Sequence, residues 1–247
     1  MLHAWACDQG LLVARKAVDE KANEMVAIPD VLSLFDLSGV TVTIDAMGCQ
    51  KTIAQQIVEG RGDYVLALKG NQGALYADVR LFMEELAKKE APSEESCEKD
   101  HGRIETRRVW VSDRIDWIEE KRRFMGLKSL ALVEAVRETG DKTSTERRCF
   151  LSSLSPDAKL IGQRIRAHWS IENNLHRVLD MAFNEDQSRV RTGHAAENFA
   201  LIRRFALNLL RHDSLCKRSI KRKRFRASHD DEYRSNLLNI TPIPLHP

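Results

Sequence analysis

Residues 1–89 alternate between the hydrophobic period of strands and that of helices. The opening stretch predicts two strands joined by a turn at Asp8-Gln9-Gly10, because glycine gives the backbone the freedom that a tight turn needs. Short apolar runs at residues 40–45 (VTVTID) and 64–68 (YVLAL) are typical of buried strands. Helical spacing follows the hairpin and each of these runs. The alternation predicts an α/β fold with a sheet covered on both faces.

Three helices are predicted in this region. The first is capped by Asn23, has Pro29 near its first turn and ends by Gly39. The second has its apolar positions within residues 53–58, and the third, longer helix has them within residues 75–86.

The pattern changes near Ala91-Pro92. Residues from about 90 to 155 are polar and then alternating, which predicts strands with a polar turn at residues 139–144. After Ser155-Pro156 the spacing is helical to about Arg211, and residues 241–247 are predicted to be extended. These shifts divide the chain into segments 1–89, 90–156, 157–212 and 213–247.

The composition excludes several classes of protein. The 247 residues are 43% hydrophobic and 30% charged, as in a chain with one good core or two small ones. No apolar run approaches the roughly 18 residues of a transmembrane helix, and residues 1–10 do not resemble a secretory signal. The five cysteines never form a C-x-x-C pair. Their scatter argues against a disulfide framework or a zinc ribbon and indicates a reducing cytoplasm.

The basic residues are concentrated late in the chain. The whole chain has 39 Lys and Arg against 36 Asp and Glu, but residues 160–226 have 15 against 6, a net charge of +9. Seven of the ten residues from 217 to 226 are basic. Such asymmetry indicates a polyanionic partner. The alternative is a solvated basic tail with no specific ligand.

Asp45 is the first candidate for chemistry. It ends a predicted buried strand, and open α/β sheets bind ligands outside the carboxyl ends of their strands. The alternative is a structural aspartate that caps the helix or turn after it.

Four titratable residues recur every four positions in the helical region: His168, Glu172, His176 and Asp180. This spacing predicts a ladder along one helix face, beside an apolar stripe, that borders a site. Two alternatives remain open. The ladder is exposed surface, or its histidines and glutamate are zinc ligands, for which no fourth ligand is indicated.

The segment HGRIETR alternates as a strand does. It places Arg103, Glu105 and Arg107 on one face. That face either contacts phosphates or is an ordinary exposed sheet face.

Several longer motifs together carry a family resemblance. The chain contains, in order, VTIDAMGCQKTIA, DYVLALKGNQ, HGRIETR and HWSIENNLHRVLDMAFNED, followed by AENFALIRRFALNLLR and KRKRFRA. It resembles insertion-sequence transposases of the H-repeat-associated (ISAs) type over nearly its whole length. The resemblance implies an RNase H-like α/β fold, with a mixed sheet flanked by helices and a β-rich insertion before the C-terminal catalytic helix.

The resemblance also gives the four segments a meaning. Residues 1–89 would be the first part of the RNase H-like core without its first strand, and 90–156 the β-rich insertion. Residues 157–212 would be the helices that complete the core, and 213–247 a basic tail.

In this family three carboxylates hold two divalent ions in a DDE site. By resemblance, Asp45 is the second of them, Glu172 is the third, and the cofactor is Mg²⁺ or Mn²⁺. The implied partner is double-stranded DNA, at the insertion-sequence ends and at the target, and the protein is expected to bind it as a homo-oligomer. The implied location is the bacterial cytoplasm, at the nucleoid, and no membrane is involved. The expected DNA contacts are Arg103, Arg107, Arg164, Arg166, His168, Lys221, Arg222, Lys223 and Arg224.

The sequence departs from the family pattern in three ways. Wider relatives have a tyrosine–arginine–glutamate–lysine signature around the glutamate, but here the position four before Glu172 holds His168 and the position seven after it holds Leu179. In addition, Arg177 stands where close relatives have tryptophan. The first catalytic aspartate of the family lies on a strand before the opening hairpin, where this sequence begins. We therefore expect an N-terminally truncated, catalytically incomplete transposase. The alternatives are a non-catalytic DNA-binding remnant that interferes with intact transposase, and a nuclease unrelated to transposition.

Overall fold

The computed structural model describes residues 2–16, 24–100, 102–119, 123–214 and 216–238. The predicted helix cap at Asn23 and the predicted extended end at residues 241–247 lie outside these ranges. The described residues form two compact units. The sheet unit holds residues 24–168, and the helical unit holds residues 3–16 together with residues 169–238.

The helices and strands have the following bounds. The strands are β1 (Leu2–Ala6), β2 (Leu11–Lys16), β3 (Thr41–Ile44), β4 (Asp63–Leu68), β5 (Glu94–Asp100), β6 (Arg103–Ser112), β7 (Ser129–Thr139) and β8 (Lys142–Ser152). The α-helices are α1 (Glu24–Leu32), α2 (Lys51–Glu59), α3 (Gly73–Lys89), α4 (Ala158–His168), α5 (Arg177–Phe183), α6 (Ala195–His212), α7 (Ile220–His229) and α8 (Asp231–Leu238). Short 3₁₀ helices lie at Ala46–Gly48 and Gly70–Gln72, and a π-helix at Glu172–His176. Within the described ranges, no helix combines the length and the apolar character needed to cross a bilayer.

One mixed sheet organises the sheet unit. Its strand order is β3-β4-β8-β7-β6-β5. Strands β3 and β4 are parallel, and helix α2 supplies the crossover connection that a parallel pair needs; the other neighbours are antiparallel. The carboxyl ends of β3 and β4 therefore lie side by side at one edge of the sheet.

Helices cover both faces of this sheet. On one face, Leu66 of β4 belongs to a core that includes Ile53 of α2 and Val79 of α3. On the other face, the adjacent residue Val65 packs in a core with Ile161 of α4. Successive strand residues point to opposite faces, so β4 is apolar on both sides and reads as a continuous hydrophobic run. The predicted α/β class, a mixed sheet flanked by helices, is confirmed.

The segment predicted as an insertion is β-rich but is not a compact unit of its own. Strand β8 pairs with β4 in a register that places Leu66 opposite Leu151. Because these backbones share one hydrogen-bonded ladder, the sheet continues across the predicted boundary at residues 89/90. The predicted turn at residues 139–144 is also shorter: β7 and β8 leave only Gly140 and Asp141 between them, with Gly140 at φ +56°.

The helical unit contains the predicted N-terminal hairpin, β1 and β2, as a separate two-stranded sheet. Leu175, Leu179 and Leu207 form one small core, and a second core contains Leu210 and Tyr233. These residues come from α5, α6 and α8 and the π-helix.

Two predictions for the C-terminal part are corrected. The helical stretch is interrupted at residues 184–194, because Asn184 adopts the left-handed conformation (φ 51°) that ends α5. Residues 213–247 are more than a basic tail, since α7 and α8 lie within them and Tyr233 and Leu237 are buried.

Candidate active site and nucleic-acid interface

Asp45 lies directly after β3 and is exposed. Its Oδ1 accepts a hydrogen bond of 3.2 Å from the backbone N–H of Met47 and so caps the 3₁₀ helix Ala46–Gly48. The capping role that the sequence left open is therefore real. The cap uses Oδ1 of Asp45. The side chain of Asp45 also faces solvent at the carboxyl end of a parallel strand, where an α/β sheet places ligands.

The loop after β4 holds the Asp45 loop from both ends. Nδ2 of Asn71 donates to the carbonyl oxygen of Ala46 at 2.7 Å, and Nε2 of Gln72 donates to the carbonyl oxygen of Cys49 at 2.6 Å. This contact is possible because β3 and β4 end side by side. In the sequence, the motif DYVLALKGNQ is the one signal that these two amides matter.

Gly48 closes the same loop. A Cβ atom at this position would clash with the side chain of Ile44 and lie 2.8 Å from Cδ1 of Ile28. Only a residue without a side chain fits so close to the end of β3.

His168, predicted as a DNA contact, lies against the sheet. Its Nδ1 is 3.1 Å from Oγ1 of Thr43, two residues before Asp45. The last residue of α4 is thereby tied to the strand that presents Asp45.

Glu172 begins the π-helix Glu172–His176, and its side chain is outside the described part of the structure. Helix α4 ends at His168, and the boundary between the two units follows it. The predicted ladder on one regular helix is therefore wrong, because the helix is interrupted and π-helical bonds span five residues. The possible zinc set of His168, Glu172 and His176 loses the regular spacing on which it rested.

Of the two carboxylates that the family resemblance assigns to the metal site, the structure describes the side chain of Asp45. Among the described residues, no group of three or more His, Cys, Asp or Glu side chains is arranged to hold a metal ion. Asp45 itself suits a hard cation, because it offers an exposed carboxylate and Mg²⁺ prefers oxygen ligands.

Strand β6 places Arg103, Glu105 and Arg107 on one face, as predicted. Glu105 is buried, and its carboxylate lies 2.6 Å from Arg103, 2.7 Å from Arg107 and 3.2 Å from Arg137. Burial alone would raise the pKa of Glu105, but the hydrogen bonds from Arg137 and Arg103 and the charge of Arg107 outweigh burial and lower the pKa. The buried carboxylate of Glu105 thus partly neutralises the positive charge of the arginines on this face.

The arginines of α4 differ from each other. Arg166 is exposed and forms an ion pair with Glu98 of β5. Arg164 is half-buried, and its Nε has no hydrogen-bond partner among the described residues. Arg166 is thus the more accessible of the two to a phosphate.

Helix α7 presents three of its four predicted DNA contacts. Lys221, Arg222 and Arg224 are exposed, whereas Lys223 is buried. Nζ of Lys223 donates to the carbonyl oxygens of Leu210 at 2.9 Å and Asp213 at 2.8 Å. The assignment of Lys223 as a DNA contact is therefore corrected, because its ammonium group is bound inside the helical unit.

Asp213 connects this lysine to α8. Its carboxylate lies 3.6 Å from Nζ of Lys223 and accepts a hydrogen bond from the hydroxyl of Tyr233. Burial and the neighbouring Asp213 raise the pKa of Tyr233. These three buried polar groups join α6, α7 and α8 into one body.

A second buried ion pair fixes the loop after α5. Arg204 of α6 is buried and binds both carboxylate oxygens of Glu185, at 2.7 and 3.1 Å. Burial and the charge of Asp186 raise the pKa of Asp180. No local signal distinguishes Glu185 from a solvent-exposed charge, because its partner Arg204 is 19 residues away.

Known proteins match the chain over most of its length. The family described as "Transposase DDE domain" matches residues 1–209. The "Uncharacterized protein in dhlA 3'region" of Xanthobacter autotrophicus is 60% identical over 158 residues, which are 64% of this chain and 54% of that one. "Putative transposase YncI" of Escherichia coli O157:H7 is 38% identical over 244 residues, 96% of this chain and 63% of that one. "H repeat-associated putative transposase YhhI" of Escherichia coli K12 is 37% identical over 245 residues, 96% of this chain and 65% of that one. The chain spans less than two thirds of the length of these relatives.

Proposed function

Because this chain belongs to the transposase family that the DDE domain defines, we propose that it acts in metal-dependent cleavage and transfer of DNA strands at insertion-sequence ends. The observation that supports the proposal most is the position of Asp45. An exposed carboxylate at the carboxyl end of β3, in a loop held by Asn71 and Gln72, is suited to a fixed metal ligand.

The proposed ligands of the divalent ions are Asp45 and Glu172. When bound, a pair of Mg²⁺ or Mn²⁺ ions supplies activation of the attacking hydroxyl and stabilisation of the leaving oxygen. The chain's own task is then to hold these carboxylates and to position the polyanion. For positioning we propose Arg103, Arg107, Arg164 and Arg166 in the sheet unit and Lys221, Arg222 and Arg224 in the helical unit.

Calorimetric titration of the 247-residue chain with Mn²⁺ tests the ligand assignment. We expect Asp45→Asn and Glu172→Gln each to weaken binding, because each removes a negative oxygen donor. Asp141→Asn, in the exposed turn between β7 and β8, is the matched control and should bind as the wild type does. Unchanged binding in both site variants would contradict the assignment.

A second candidate is a non-catalytic DNA-binding protein that interferes with intact transposase by mixed assembly on DNA. The exposed basic residues of α7 favour it, since they need no metal. The assignment above supplies two of the three DDE carboxylates, so we expect the 247-residue chain by itself to be catalytically incomplete.

A strand-transfer assay on double-stranded DNA bearing the element's ends separates these functions. Salt-sensitive DNA binding without Mn²⁺ binding or strand transfer would favour the second candidate. Efficient strand transfer by the chain would contradict incompleteness, and cleavage that ignores the ends would indicate a nuclease unrelated to transposition.

A further inference from the structure

A basic pocket opens on α7 in the helical unit. It has a volume of about 540 Å³. The lining residues are Arg218, Arg222, Phe225, Arg226, His229 and Asp230. Positions 222, 225, 226 and 229 share one face of α7, because they are three and four residues apart. Lys221 and Arg224 lie on a different side of the helix.

An aromatic surface forms part of this pocket. Phe225 is 67% exposed, although it is the most apolar residue in a run of cations. Its ring lies 4.4 Å from that of His229, tilted by 34°, and Nδ1 of His229 is 3.0 Å from the carbonyl oxygen of Phe225. The two rings thus form a supported platform with Phe225 open to solvent.

The charges of the pocket favour an anion. Asp230 is an acidic residue of the lining, but its carboxylate is bound by Arg226 at 3.0 Å and by the backbone N–H of Tyr233 at 2.8 Å. Arg226 is further held over the ring of Tyr233, 4.4 Å from its centroid. Arg218 and Arg222 then add positive charge beside the platform that Asp230 does not offset.

We propose that this pocket binds an unpaired nucleotide of DNA, with the base stacked on Phe225 and the phosphate at Arg218 and Arg222. The inference rests on the proposed function, which makes DNA the partner. Aromatic side chains inside a basic groove bind single strands in this way, because every base has a face that stacks. A duplex keeps its bases stacked on each other, so it would use the cations of α7 but not Phe225.

The test compares two probes at one salt concentration, a single-stranded oligothymidylate and a blunt duplex of the same length, by fluorescence anisotropy. Phe225→Leu keeps apolar bulk but removes the aromatic face. It should lower affinity for the single strand about tenfold, the size expected for one lost base stack, and leave the duplex affinity unchanged. Phe225→Trp should retain or raise the single-strand affinity. Phe205→Leu makes the same change at another exposed phenylalanine, on α6, and should affect neither probe.

Each outcome has a distinct meaning. Equal single-strand affinity in Phe225→Leu and the wild type would overturn the proposal while leaving DNA binding intact. An equal loss for both probes would show a general contribution of Phe225 and would also overturn it. If the wild type binds neither probe, DNA as the partner fails, and with it the proposed function. Arg222→Gln should weaken both probes and reduce the salt dependence of binding.

Discussion

Nδ2 of Asn71 and the carbonyl oxygen of Ala46 lie 2.7 Å apart although the two residues are 25 positions apart in the chain. Ala46 follows Asp45 directly, so this hydrogen bond fixes the backbone next to the candidate metal ligand. Together with the bond from Gln72 to Cys49, it makes the geometry at the end of β3 depend on the loop at the end of β4.

Asn71→Ala should loosen the Asp45 loop. Loss of the hydrogen bond should cost about 1 kcal/mol and speed hydrogen exchange at the amides of Gly48 and Cys49, which bond back within this loop. Exchange measured by mass spectrometry or NMR gives the result without any activity assay. Gln55→Ala, which removes an amide bonded to Glu59 on the exposed side of α2, is the control. Exchange as slow as in the wild type would contradict the clamp.

Gly48→Ala should destabilise the sheet unit by roughly 1–3 kcal/mol, because the added methyl group must displace Ile44 and Ile28. The urea midpoint measures the loss. Gly70→Ala is matched to it, since a Cβ there meets nothing within 4 Å. A midpoint for Gly48→Ala equal to that of Gly70→Ala would mean that the loop accommodates a side chain.

Glu105→Gln should lower stability by roughly 3 kcal/mol near neutral pH, because it removes the acidic partner of a buried ion network. The pKa of Glu105 is lowered in the folded state, so its ionised form stabilises the fold above its unfolded pKa, and that contribution is lost as pH falls through the folded pKa. The stability difference between wild type and variant should therefore shrink below about pH 4.

Urea titrations at several pH values measure that difference. Glu138→Gln on the same sheet, at an exposed position of β7, should show neither the loss nor its pH dependence. A difference for Glu105→Gln that stays constant with pH would contradict the electrostatic explanation.

Lys223→Met and Lys221→Met should act on different properties. The first leaves Asp213 and two carbonyl oxygens without their cation and should cost roughly 3 kcal/mol. The second should leave stability unchanged and reduce the slope of log affinity against log salt by about one. Thermal unfolding and DNA titrations over a salt series test the pair. Equal stability of the two variants would place Lys223 at the surface.

Two of the five cysteines should react quickly with a thiol reagent in the native protein. Cys7 and Cys97 are exposed, whereas Cys49, Cys149 and Cys216 are buried. Burial raises the pKa of Cys49 to about 12 and that of Cys149 to about 11, so neither forms much thiolate at mildly alkaline pH. The amount of chromophore that the reagent releases gives the number of reactive thiols, and denatured protein should release the amount expected for all five cysteines. Fast modification of Cys49 would contradict the packing around the Asp45 loop.

Local features were predictable from the sequence. The turn at Gly10, the strands at residues 41–44 and 63–68 and the α/β class depend on hydrophobic period and on nearby glycines, and these signals lie within a few residues. The position of Asp45 at a strand end followed from the same signals.

Contacts between distant residues were not predictable. Nothing in the pattern of β8 selects β4 as its neighbour, and nothing in the LKGNQ turn specifies bonds to Ala46 and Cys49. One local signal did indicate that Lys223 is buried, but a count of basic residues does not detect it. Lys223 shares a helix face with Ile220 and Ala227, because these positions are three and four residues apart. Ile220 and Ala227 are apolar, and both pack against the core that contains Tyr233.

The π-helix at Glu172–His176 determines how the chain responds to a change of length there. A turn closed over five residues contains one residue more than an α-helical turn. Deleting a single residue within it would restore ordinary α-helical winding and leave the later side chains of α5 at nearly the same angle around the helix axis, because the wider turn takes up the extra residue. Leu179 would then keep its core, whereas a deletion in the regular helix after His176 would rotate every later side chain by about 100°, so a shorter chain should be tolerated better inside this turn than after it.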